Sequence, residues 1–141
     1  MKKNVTISIK GSLISLGDEN PGGFELMTDG IYTRSKGLTT FSYEESDLTG
    51  INGLFTTFNI EPDRIILRRG SNTNSDMVFS EDQKHHFLYE TPYGSITMGI
   101  DTHSITKNFR DDGGHLEIVY DIEVDSIPVS SNLFEIDIMA Q

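Results

Sequence analysis

Arg68 and Arg69 form the charged pair with the most chemical potential in this chain. Neighbouring residues of a β-strand point to opposite faces, so a regular strand here turns one guanidinium inward. An inward arginine is costly unless a carboxylate or an anionic ligand meets it. Two arrangements compete with a ligand site. The strand can stop before Gly70 and leave both arginines in solvent, or the inward one can pair with Glu44 or Glu45. His85-His86 has the residue type of a metal site without its geometry, because adjacent rings on a strand diverge whereas ligands must converge. Only a turn that also recruits His103 or His115 would change this, and no metal is expected. Asp111-Asp112-Gly113-Gly114 puts oxygen donors beside glycines but lacks the alternating acids and closing glutamate of a calcium loop. A hairpin turn is expected there.

Nucleophilic catalysis needs a serine or threonine beside a histidine base, with backbone donors for the oxyanion. There is no Gly-x-Ser-x-Gly elbow, and the serines, histidines and aspartates are scattered. Glu44-Glu45 point apart on a strand and make no acid/base pair by themselves. No glycine-rich phosphate loop precedes a helix. The absence of cysteine removes thiolate nucleophiles, disulfides and zinc–thiolate clusters. The sequence therefore names no catalytic residue and no cofactor, although a barrel mouth can assemble an enzyme site from distant strands.

A chain of 141 residues is expected to form one domain, residues 1–141, with a real core. Its 22 acidic and 11 basic residues give a formal net charge of -11. That charge repels phosphate backbones and anionic lipid surfaces, so neither nucleic acid nor membrane is an expected partner. Met1-Lys2-Lys3 resembles the start of a signal peptide, but Val5 to Lys10 alternates apolar and polar residues as a first strand does. A cytoplasmic location is expected.

The elements that must position these residues are strands. Leu116, Ile118, Tyr120, Ile122 and Val124 alternate with Glu117, Val119, Asp121, Glu123 and Asp125, giving one core face and one wet face. The same reading applies to Val5–Ile9, where the parity changes near Gly11, and to Phe24–Thr28 and Leu38–Tyr43. It extends to Leu54–Ile60 and Ile65–Arg69, which are joined at Glu61-Pro62-Asp63. Met77–Phe79, His86–Thr91, Ser95–Thr102, Ile105–Phe109 and Asn132–Ile138 complete the set. Turn signals recur at roughly ten-residue intervals, and no helical stripe appears. An all-β fold follows. Closing an antiparallel meander of about eight to ten strands into a barrel hides its edges and leaves an interior that is either packed or shaped for one small ligand.

Several pieces in order add a resemblance: Gly30-Ile31-Tyr32, Phe41-Ser42-Tyr43-Glu44-Glu45, Leu67-Arg68-Arg69-Gly70, Tyr89-Glu90-Thr91-Pro92-Tyr93-Gly94, Gly114 to Tyr120, and Asn132. The chain resembles the YwiB-like family of small bacterial β-barrel proteins, which are similar in fold to the calycins (lipocalins and fatty-acid-binding proteins). The resemblance spans nearly the whole chain, and the Tyr-x-Thr-Pro-Tyr-Gly turn is its most specific element. It implies a closed, calycin-like antiparallel barrel in a cytoplasmic bacterial protein with no assigned reaction. The lipocalin Gly-x-Trp signature is absent because the chain has no tryptophan.

Arg68 matches the family position and is taken as the inward arginine. The leading expectation is a non-catalytic binding protein for a small anionic or amphipathic molecule in the barrel interior, with Arg68, Tyr43 and Tyr89 as its site. The alternatives are an interaction module that uses the outer surface or a homodimer contact, and an enzyme with a site at the barrel mouth. Tyr89 depends on the turn at Thr91-Pro92-Tyr93-Gly94. A type I turn with a glycine bulge sets it across from Thr97, whereas a two-residue turn sets it opposite Ile96 and Phe87 opposite Met98. The hydrophobic pattern favours the second register, with Tyr89 inward.

Overall fold

In a computed structural model, which describes residues 2–15, 22–44, 55–70 and 76–141 (side chains at 13–15, 22 and 89–91 excepted), the chain forms ten antiparallel strands. They are β1 (Lys2–Ser15), β2 (Gly22–Ser35), β3 (Leu38–Glu44), β4 (Phe55–Ile60) and β5 (Ile65–Arg69), followed by β6 (Met77–Phe79), β7 (Lys84–Thr91), β8 (Gly94–Arg110), β9 (Gly113–Val124) and β10 (Ile127–Ala140). The order across the sheet is β6-β5-β4-β3-β2-β1-β10-β9-β8-β7. This meander curls into a nearly closed barrel. β6 and β7 come together at the seam, with no ladder between them among the described residues.

Alternation decides what lies inside. The row Tyr32, Phe41, Phe58 and Leu67 crosses β2 to β5 through direct pairings, and all four are buried. Ile7, Ile138, Ile9, Ile136 and Leu116 line the opposite wall. Phe41 and Phe58 stack with centroids 4.7 Å apart and planes 14° apart, and Phe58 meets the edge of Phe134 at 6.0 Å. These side chains fill the end of the barrel that carries the β2–β3, β4–β5 and β8–β9 turns, here termed the lower end.

The lower end is also stitched by polar contacts. Tyr32 Oη donates to the Arg110 carbonyl at 2.7 Å, and Arg34 meets Asp111 at 3.0 Å. Asp111 and Asp112 lie in the expected turn between β8 and β9. Lys107 Nζ donates to the carbonyls of Glu61 and Pro62 at 2.8 and 3.1 Å, spanning the gap where β8 runs on past β7.

β8 is one strand with a register shift between Thr102 and Ser104, where the sequence reading has two segments. The β7–β8 hairpin closes on the pair Thr91–Gly94 and sets Tyr89 against Ile96 and Phe87 against Met98. The hydrophobic register wins because it lets Phe87 pack on the core, and a one-residue slip would turn it out. Gly94, at φ +127°, carries the backbone angle that this compromise needs.

Phe58→Ala removes the ring that links the stack to Phe134 and opens a cavity in a filled interior. A loss of about 3–5 kcal/mol is expected, read from urea unfolding. A loss below about 1 kcal/mol would show that the aromatic stack is dispensable.

Candidate functional site

The upper end differs in chemistry. Continuing the inward rows upward brings Tyr43, Thr56 and Arg69 into register across β3, β4 and β5. On the far wall, Thr102 pairs with Tyr120, and Tyr120 pairs with Asn132. Hydroxyls, an amide and a guanidinium thus replace the aliphatic lining found below.

The expected arginine is the wrong one of the pair. Ile65 and Leu67 are buried, so their parity carries Arg69, not Arg68, along the inward face. Arg68 points away and forms a two-pronged pair with Asp76 at 2.9 and 2.7 Å. Its site role is therefore corrected, because its fork is already occupied by a carboxylate outside the barrel wall. Tyr43 does face inward and is only 5% exposed. The Tyr89 side chain lies outside the described residues, as does Glu45. Glu44 ends β3 exposed.

Tyr120 is the pivot of the far wall. Its ring packs edge-on against Phe79 at 5.0 Å. Burial pushes its phenol up to about 12, with Arg69 close enough to pull in the opposite direction. Thr102, beside it, is 1% exposed, and its Oγ1 finds no hydrogen-bond partner among the described residues. The same is true of Nε2 of His85, which stands opposite Ile100 on the inward face of β7. Buried polar atoms are normally satisfied, so two orphans this near each other call for a partner. Glu123 is a different case, since Lys84 Nζ sits 2.7 Å from its carboxylate.

A cleft of about 290 Å3 opens next to Tyr120 and Asn132, walled by Phe24 and Phe134 and floored by Gly11 and Gly23. Phe24 lies across Gly11, which has no side chain to obstruct it, and meets Phe134 edge-on at 6.2 Å and 81°. The sequence reading missed this cleft. The change of parity at Gly11 was its one visible sign.

The profile of the family described as "Domain of unknown function (DUF1934)" matches residues 7–136. The chain belongs to the DUF1934 family. Its fold also matches the crystal structure of the ywiB protein from Bacillus subtilis, with a TM-score of 0.84 and 18% identity over 99% of this chain and 93% of that one. At that identity the likeness speaks for the barrel alone. No curated protein matches the chain. The DUF1934 chain therefore carries its family's fold, and its chemistry has to be argued from its own side chains.

The four histidines of this DUF1934 chain do not converge. His85 faces inward, and His86 lies over Gly99. His103 binds Asp121 at 2.8 Å, and His115 binds Asp137 at 2.7 Å with Glu117 at 3.8 Å. No group of three metal-ligating residues forms among the described residues. The hydrogen bond to Asp121 raises the His103 pKa, helped by Asp101 and Asp82, and the bond to Asp137 raises that of His115, helped by Glu117. Groups raised in the folded state stabilise it fully below their unfolded value, and lose that contribution as pH climbs through the folded one. The urea midpoint should therefore fall between about pH 6 and 8. Asp121→Asn with Asp137→Asn should flatten that slope, and an unchanged slope would remove these pairs as its source.

Proposed function

We propose that the upper barrel is a non-catalytic binding site for one small molecule that carries an anionic group and an apolar body. The anion would lie toward Arg69, with the Tyr43, Thr56 and Tyr120 hydroxyls on the same inward rows. The apolar body would occupy the cleft beside Phe24 and Phe134. The supporting observation is the pair of buried orphan atoms, Thr102 Oγ1 and His85 Nε2, above an interior that is otherwise filled. A bound polar group would satisfy them, and burying them unmet costs about 1–3 kcal/mol each. A cytoplasmic metabolite suits this reading, since the net charge of -11 makes a local cation the feature that selects for anions.

Native mass spectrometry of freshly purified protein, compared with its denatured mass, should show a retained small molecule. Arg69→Ala should lose it. Thr102→Val keeps the shape and removes the unmet hydroxyl, so it should stabilise the empty protein by about 1 kcal/mol while weakening retention. Native spectra free of adduct, together with unchanged melting in a panel of small organic acids, would overturn the proposal.

A further inference from the structure

The same cleft constrains the shape of what it holds, and this step rests on the binding reading above. Phe24 is on the inward row of β2 yet 52% exposed, an uncommon position for a large aromatic ring that points into a barrel. Its edge contact with Phe134 fixes the angle between the two rings, so they present a corner instead of a tube. The floor beside them is bare backbone at Gly11 and Gly23. A side chain at Gly23 would collide with the Gly11 carbonyl at 2.6 Å. Below, the passage is stopped by Phe58, which touches Phe134 and stacks on Phe41. Depth is therefore short, and no channel follows that could take an extended chain. Flat backbone on one side and aromatic rings on the other make a shallow slot.

We infer that the upper cleft selects a planar aromatic acid, whose ring lies on the Gly11–Gly23 floor against Phe24 and Phe134 and whose carboxylate turns toward Arg69. Ring-on-ring contact in offset or edge geometry adds affinity beyond the area it buries, which a flexible chain of equal size does not gain. A rigid ring also has fewer rotors to freeze on binding.

Naphthoate and a straight-chain alkanoate of the same carbon count are the probes. The chain has no tryptophan, so naphthoate emission can be followed directly, and calorimetry reports both acids. Naphthoate should bind several-fold tighter than the alkanoate, up to about tenfold. Phe24→Leu keeps an apolar, half-exposed side chain and should erase that preference while leaving alkanoate binding unchanged. Arg69→Ala should weaken both acids alike. Alkanoate binding equal to or tighter than that of naphthoate would overturn the planar slot and leave the anion site standing. So would a ring preference that survives Phe24→Leu. If neither acid binds and native spectra show no adduct, the binding reading itself falls, and the slot with it.

Discussion

The contact between Phe41 and Phe58 organises the interior. Two rings stacked at 4.7 Å from adjacent strands occupy the middle of the lumen and leave little room around them. Phe109 reaches Phe41 from β8, and Phe134 reaches Phe58 from β10, so one aromatic contact series joins opposite walls. Phe24 is its last member, and there the series emerges into solvent. Because close packing admits few gaps, everything below this series is core, and any site has to be above it.

Charge is divided as sharply as packing. The described carboxylates lie mainly on the outer surface, where Glu117 and Glu135 even oppose each other directly across β9 and β10. Like charges in register cost stability, yet they also discourage another sheet from docking there. Lys10 reaches Glu25 at 3.4 Å, and the two histidine–aspartate pairs relieve part of the repulsion. The inward rows carry their formal charge at Arg69, near the rim. A protein this acidic thus offers an approaching anion an inhospitable exterior and one cationic opening.

The sequence made the strands legible wherever apolar and polar residues alternate. Leu116 to Asp125 became β9 almost as read, and the Phe87–Met98 pairing followed from the same rule. Arg68 and Arg69 show where that rule fails. They follow Ile65-Ile66-Leu67, three apolar residues in a row, so local pattern assigns no parity, and only the burial of Ile65 and Leu67 in the assembled barrel does. β8 was divided in reading because the shift at His103 reverses its alternation midway. The cleft was out of reach for a related reason. Gly11, Phe24, Tyr120 and Phe134 come from four strands, and no one segment advertises their meeting.

The seam between β6 and β7 gives the barrel a weak line. Elsewhere the wall is held by continuous main-chain ladders, whereas beside the lower part of β8 the Lys107 side chain and the Glu81 carboxylate take their place. Side-chain fasteners release one at a time, without the cooperativity of a ladder. The barrel is in effect a cuff with a clasp, and thermal fluctuation would part it along this line before any strand left its neighbour. Such breathing would let the lumen exchange its contents with water sideways, without unmaking the aromatic floor.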